Sequence, residues 1–169
     1  MSGHHRVAFL AFAVGEDFAI MSSRIEARAS HHFRVAADRV YDAWLDPEKV
    51  RVWMTASLKT WDLAGDIRRV EIDARVGGKF FFSDMRDGTE ARHWGSYLEL
   101  DPARKIVFTW IVDESEETDP SVVTITIRSE PDGCTATIVH EMDAQWADYV
   151  SRTESGWTRI LDAIDRFLT

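Results

Sequence analysis

A long series of strand-like segments that ends in one amphipathic helix is the feature that most constrains the fold of this chain. In the last segment, apolar residues recur at spacings of three and four, which places them on one helical face. These residues are Trp157, Ile160, Leu161, Ile164, Phe167 and Leu168. From Arg24 onward apolar and polar residues instead alternate with a period of two, which is typical of a half-buried strand. A sheet built this way needs a cover for its apolar face, and the final helix is long and apolar enough to provide one.

The sequence between the first strand and the final helix predicts the order of the remaining elements. Two short helices follow the first strand, and Asp46-Pro47-Glu48 starts the second, because Asp46 can cap it and proline suits a first helical position. About six further strands reach about Met142. Turn residues separate several of them: Gly77-Gly78, Asp87-Gly88 and Pro131-Asp132-Gly133. The sequence therefore predicts an α+β fold. It would have a curved antiparallel sheet of about seven strands wrapped on a long C-terminal helix, and two short helices between the first and second strands.

Composition narrows the class of protein and of partner. The formal net charge of -9 over 169 residues disfavours nucleic acid and anionic membranes as partners, because both attract basic surfaces. Cys134 is the only cysteine, which fits a reducing compartment, and we expect a packed thiol in a cytoplasmic protein. Residues 1–20 are interpreted as an N-terminal extension, with disorder as one interpretation, and residues 21–169 as a single domain.

Aromatic residues on the predicted strands and helices are the candidate binding residues. Indole and phenyl rings supply large apolar areas, so a cavity between sheet and helix would suit a small hydrophobic ligand. The alternative is that these rings only fill the core, which is the default for aromatic residues at regular spacing. The predicted ligand-binding set is Trp53, Phe80, Phe82, Trp94, Phe108, Trp110, His140, Trp157 and Ile160.

His140 is the polar candidate, since it shares a predicted inward face with apolar residues of its strand. An imidazole there could bind a ligand or act as an acid or base. The favoured alternative is a core histidine that bonds to a neighbouring hydroxyl or carbonyl. His93 carries a weaker form of the same hypothesis, because the facing of its strand is ambiguous. Neighbouring residues on a strand point to opposite faces, so His31-His32 and His4-His5 predict no metal site. No cofactor is expected, and Gly156 is expected to let the last helix approach the sheet closely.

An ordered series of short segments resembles a known superfamily. The chain is similar to START-like, helix-grip (SRPBCC) proteins, which include the birch-pollen allergen fold, and most of all to their AHSA-like branch. That branch is named for homology to the activator of the heat-shock-protein-ninety ATPase. The residues that carry the resemblance are 40–48 with Trp53, 76–80, 95–102, 108–110, 139–141 and 156–161. The resemblance covers roughly residues 24–168.

The resemblance implies a general function rather than a particular reaction. It implies binding of a small hydrophobic molecule between the sheet and the C-terminal helix, in a stress or toxin response. A cyclase or dehydratase that uses His140 as its acid or base is one alternative. A co-chaperone-like or homodimeric interaction module is another. The sequence leaves catalysis open but favours a protein without it, and it names no ligand.

Overall fold

The computed structural model describes residues 23–169. The predicted extension over residues 1–20, and His4-His5 within it, lie outside the described residues. The described chain forms, in order, β1 (Arg24–Phe33), α1 (Ala37–Leu45), α2 (Pro47–Lys59), β2 (Asp66–Ile72), β3 (Lys79–Arg86), β4 (Thr89–Asp101), β5 (Lys105–Trp110), a 3₁₀ turn (Glu114–Glu116), β6 (Ser121–Glu130), β7 (Gly133–Asp143), a second 3₁₀ segment (Ala144–Tyr149) and α3 (Val150–Leu168).

The strands form one antiparallel sheet in the order β1-β7-β6-β5-β4-β3-β2. From β2 to β7 each strand pairs with its neighbour in sequence, and β1 closes the sheet against β7. The sheet is curved, and α3 lies on its inner face against β1 and α2. The predicted α+β helix-grip architecture is therefore confirmed, with its seven strands and its two short helices after the first strand.

The boundary between the two short helices follows from three residues. Asp46 has an extended backbone, and its Oδ1 accepts a hydrogen bond from the Glu48 amide at 2.9 Å, so it caps α2 as predicted. Pro47 occupies the first turn, where its missing N–H costs nothing. A residue before proline avoids the helical region, which is why α1 ends at Leu45.

Tight turns fix the register of the central strands. In the β3–β4 turn Asp87 and Gly88 both have positive φ, 49° and 80°, so the predicted two-residue hairpin is confirmed. At Gly78 a Cβ atom would lie 2.1 Å from the carbonyl oxygen of Asp73, which only glycine avoids. The predicted glycine turn is therefore present, and it brings the chain into β3.

The C-terminal helix is held at both ends by the edge strand β1. Near its start, the Arg28 amide donates to Oε2 of Glu154 at 2.8 Å. Near its end, His31 Nε2 lies 2.8 Å from Oδ2 of Asp165. These contacts fasten α3 to β1, at the far edge of the sheet from β2, β3 and β4. The helix thus converges with one side of the sheet and leaves space toward the other.

Two expectations about α3 need correction. Phe167 does not share the buried face, because it lies at the edge of the apolar stripe and is 37% exposed. Gly156 does not bring the helix against the sheet: apart from its chain neighbours and the backbone of its own helix, no atom of the described residues lies within 4 Å of the position that its Cβ would occupy. Trp157 and Leu161, by contrast, are buried as predicted. Gly156 therefore borders open space rather than a close contact.

The core lies between the inner face of the sheet and the three helices. Cys134 is fully buried there and unpaired, as expected for a packed thiol, and burial raises its pKa. Among the described residues, no helix has both the length and the apolar character required to cross a lipid bilayer.

Candidate functional site: an aromatic cavity under the C-terminal helix

A cavity of about 530 Å³ lies between the inner face of β3, β4 and β5 and the helices α2 and α3. This volume falls within the range of small-molecule sites, roughly 300–1,000 Å³. Its wall is mainly aromatic and aliphatic. Seven residues of the predicted ligand-binding set line it: Trp53, Phe80, Phe82, Phe108, Trp110, Trp157 and Ile160.

Strand alternation brings the aromatic wall together. Phe80 and Phe82 are two positions apart on β3, so both side chains point to the inner face, and Phe108 and Trp110 do the same on β5. The Phe80 ring meets the Phe108 ring edge-on, with centroids 5.5 Å apart, and lies nearly parallel to the Trp110 ring at 6.1 Å. From α3, Trp157 approaches Trp110 at 5.4 Å. These contacts form one continuous aromatic surface.

The helices α1 and α2 contribute a second group of indoles. Trp53 on α2 is buried, and its Nε1 donates a hydrogen bond to the Ala43 carbonyl at 2.7 Å, which fixes the ring. Trp44 on α1 packs edge-on against it, with centroids 5.2 Å apart. The Nε1 of Trp44 is buried and has no hydrogen-bond partner among residues 23–169. Trp44 also lines the cavity, so within the described part of the chain its N–H is an unused donor in the wall.

A cation–aromatic contact joins α2 to α3 beside the cavity. The guanidinium carbon of Arg159 lies 3.6 Å from the centroid of the Trp61 ring, and Arg159 also donates to the carbonyl of Thr60. Trp61 is 37% exposed and lines the cavity as well. Arg159 therefore links the end of α2 to the middle of α3.

Trp94 lies on the outer face of the sheet and not in the cavity, where the sequence placed it. Its ring stacks on Phe81 at 6.4 Å, and its Nε1 donates to Oε1 of Glu117 at 3.1 Å. Trp94 pairs with Phe81 across β3 and β4, and cross-strand partners share a face. Because Phe80 and Phe82 face inward, Phe81 and Trp94 must face outward.

His140 also lies off the cavity wall, although its strand face is buried as predicted. Its Nδ1 accepts a hydrogen bond from Trp157 Nε1 at 3.1 Å, so the proton of the neutral ring is on Nε2. The Nε2 group then donates to Ser121 Oγ at 2.9 Å, and Ser121 donates to the Trp110 carbonyl at 2.8 Å. Both ring nitrogens are used, and burial lowers the pKa of His140 to about 4. This is the core histidine bonded to a neighbouring hydroxyl that the sequence favoured.

His93 is the histidine that the structure places on the cavity wall. It faces Phe82 across the β3–β4 pair, and its ring stacks on Trp110 with centroids 4.9 Å apart and an interplanar angle of 27°. Its Nδ1 is buried and has no hydrogen-bond partner in the part of the chain that the structure describes. Burial lowers the pKa of His93 to about 4, with a further lowering from the charge of Arg86 that Asp84 opposes. The ring is therefore neutral at pH 7.

An ion pair between a buried carboxylate and a partly exposed guanidinium lies next to His93 on the inner face of β3. Asp84 is fully buried, and its two carboxylate oxygens accept hydrogen bonds from Nε and Nη2 of Arg86 at 2.7 and 3.1 Å. The side chain of Arg86 also lines the cavity. Because the charges of Asp84 and Arg86 balance each other, the pair adds polar atoms to the wall without an unpaired charge.

A signal in the sequence could have placed His93 correctly. In a hairpin with a two-residue turn at Asp87-Gly88, paired residues lie equally far from the turn, so that Phe82 on β3 opposes His93 on β4. With Phe82 facing inward, the same rule turns His93 inward and Trp94 outward. The ambiguity of β4 was therefore resolvable from its turn and its partner strand.

Outside the cavity, one surface cluster has the residue types of a metal site. Single ligand atoms of His32, Glu130 and Asp132 lie within 4.8 Å of one another. His32 contacts Asp132 at 3.3 Å, while His31 turns to α3, so these adjacent histidines do point apart as predicted. The three side chains are accounted for by the contacts of His32 with the two carboxylates at the surface.

Comparison with known proteins identifies the family. A sequence model described as "Activator of Hsp90 ATPase homolog 1-like protein" matches residues 34–169. The chain therefore belongs to this family, as its resemblance to the AHSA-like branch implied. No curated protein matches the chain.

Solved structures share the fold over most of their length. A protein from Chromobacterium violaceum is 25% identical, with a TM-score of 0.69, and the match covers 85% of this chain and 96% of that one. An AHSA1-like protein from Aeromonas hydrophila is 20% identical, with a TM-score of 0.66 over 85% and 92% of the two chains. A protein of unknown function from Staphylococcus aureus is 15% identical, with a TM-score of 0.69 over 83% and 91%.

Proposed function

We propose that this protein reversibly binds a small hydrophobic molecule in the cavity between its sheet and its C-terminal helix. The observation that carries the proposal is an aromatic-lined, partly open cavity of about 530 Å³ between the sheet and the helices. Side chains in a folded protein normally pack to the density of organic crystals and leave few spaces larger than a water molecule. A space of this size, walled mainly by apolar rings, has the properties of a ligand site.

The arrangement of α3 supports the same function. The helix is fastened to β1 through Glu154 and Asp165, and Gly156 is one of its residues that line the cavity. A side chain at that position would extend into open space. We infer that the contacts with β1 hold the helix at a distance from β3 and β4.

Binding without turnover fits the environment of His140 better than the acid or base role that the sequence proposed for it. An acid or base must reach the substrate with a free nitrogen. Both nitrogens of His140 are bonded within the core, to Trp157 and Ser121. A role in stress or toxin response, which the resemblance implies, and a cytoplasmic location, which the single cysteine favours, belong to this proposal. The interaction-module and homodimer alternatives predict instead a complex that forms without any small ligand.

Titration with N-phenyl-1-naphthylamine tests the proposal, since this neutral dye fluoresces strongly in apolar sites. We expect saturable binding at one site per chain, accompanied by a change in tryptophan emission. In Trp110→Phe, which alters the wall, that change in emission should be reduced. The matched control is Trp146→Phe, because Trp146 is 41% exposed and outside the cavity wall.

Two results would count against the proposal. One is an absence of saturable dye binding at protein concentrations well above micromolar. The other is a dye signal that responds to Trp146→Phe and not to Trp110→Phe, since that would place the dye on the surface. Sedimentation of the ligand-free protein separates the homodimer alternative from both outcomes.

A further inference from the structure

The cavity wall contains a polar side chain that the fold itself does not use. No hydrogen bond joins either ring nitrogen of His93 to another described residue, and its Nδ1 is shielded from solvent. Buried polar groups in folded proteins are almost always hydrogen-bonded, and an unsatisfied one lowers stability. A phenylalanine could stack on Trp110 equally well without this cost. The unmet bonding capacity of His93 is therefore directed at something that the cavity receives.

The chemistry of the wall defines which polar group would fit. A neutral imidazole offers one donor and one acceptor, and a hydroxyl can pair with either of them. Trp44 Nε1, which has no partner among the described residues, is a donor in the wall that a hydroxyl oxygen can also meet. A carboxylate fits less well beside His93, because the charge of Arg86 is already balanced by the fully buried Asp84. Placing a second anion beside Asp84 would cost desolvation, and Arg152, the other cation of the wall, is exposed on α3.

The shape of the wall defines the body of the ligand. The rings of His93 and Phe80 each lie nearly parallel to Trp110, at interplanar angles of 27° and 26°. Near-parallel rings present flat faces that match a flat apolar molecule. Resting on the proposed function, we propose that the ligand class is a neutral, flat apolar molecule with a hydroxyl group that hydrogen-bonds to His93.

Competition against N-phenyl-1-naphthylamine with three matched compounds tests this proposal: naphthalene, 2-naphthol and 2-naphthoate. One added hydrogen bond in a dry site should make 2-naphthol bind about five- to tenfold more tightly than naphthalene. His93→Phe, which keeps an aromatic ring on Trp110, should abolish that preference while naphthalene binds as well as before. His93→Gln, which restores a donor and an acceptor, should recover part of it. His32→Phe, at a surface histidine, should leave the preference unchanged.

The outcomes separate this proposal from the function on which it rests. If 2-naphthol and naphthalene bind equally, if His93→Phe keeps the preference, or if 2-naphthoate binds best, the hydroxyl proposal is overturned while dye binding still supports a hydrophobic site. If the dye itself does not bind, both fail. Should His93→Phe not fold, the ¹⁵N shifts of His93 in the wild-type protein give the answer. Adding 2-naphthol must then move them in the hydrogen-bonding direction and naphthalene must not.

Discussion

Replacing Gly156 with a larger apolar residue should raise the stability of the protein and weaken ligand binding at the same time. Gly156 lies inside α3, and beyond its own stretch of helix no described atom is within 4 Å of where its Cβ would lie. Alanine should therefore stabilise the fold by about 1 kcal/mol through helix propensity alone. Leucine adds side-chain burial in the cavity, and together these effects should reach about 2–3 kcal/mol.

The effect on binding follows from the same atoms. The four carbon atoms of a leucine side chain displace a similar number of ligand atoms, each worth at least about 0.3 kcal/mol. The affinity for N-phenyl-1-naphthylamine should therefore fall by about tenfold in Gly156→Leu and much less in Gly156→Ala. Thr158→Leu is the matched control, because Thr158 is exposed on the same helix and its substitution adds apolar bulk outside the cavity.

Thermal or urea unfolding and dye titration measure the two effects separately. In a domain of this size 1 kcal/mol corresponds to about 2–4 °C in Tm. The reasoning is refuted if Gly156→Leu lowers the Tm, since the space beside the helix would then be filled. It is also refuted if this variant binds the dye as tightly as Thr158→Leu does, since the dye would then bind elsewhere.

Two further predictions concern the polar groups near the cavity. Arg86→Leu should lower the free energy of unfolding by about 3–5 kcal/mol, because it leaves the buried Asp84 carboxylate without its partner. Arg75→Leu, which breaks an exposed pair of the same spacing, should cost no more than about 1 kcal/mol, and equal losses in urea unfolding would contradict the buried placement. Acid should also destabilise the fold: the pKa values of His93 and His140 are lowered from 6.5 to about 4, so the stabilisation is complete above pH 6.5 and is lost as the pH falls toward 4. Between pH 7 and pH 5 each histidine should account for about 2 kcal/mol of the loss in the free energy of unfolding. In His93→Phe the contribution of His93 should disappear. An unchanged pH dependence of unfolding in that variant would show that His93 is not buried as a neutral ring.

The fold was predictable because local signals and the global arrangement agree in this chain. The period of two in the strands, the Asp46-Pro47-Glu48 helix start and the Asp87-Gly88 turn each predicted the observed element. The amphipathic stripe of α3 identified the covering helix, apart from Phe167 at its edge. Residues 1–20 remain a prediction, since they lie outside the described residues.

The candidate site was only partly predictable, because apolarity shows that a residue is buried but not what it is buried against. Trp110 and Trp157 were expected at the cavity and line it, but Trp94 carries the same side chain on the opposite face of the sheet. Likewise His93 and His140 are both inward histidines with similarly lowered pKa values. Only the structure shows that His140 is fully bonded, whereas His93 is not.

A crystal structure of the protein soaked with 2-naphthol would show whether the space between α3 and the sheet accepts a ligand. We expect electron density for the naphthyl ring against Trp110 and Phe80, with its oxygen within hydrogen-bonding distance of His93 or Trp44. Density only on the outer surface, or a cavity occupied by the protein's own side chains, would contradict this expectation.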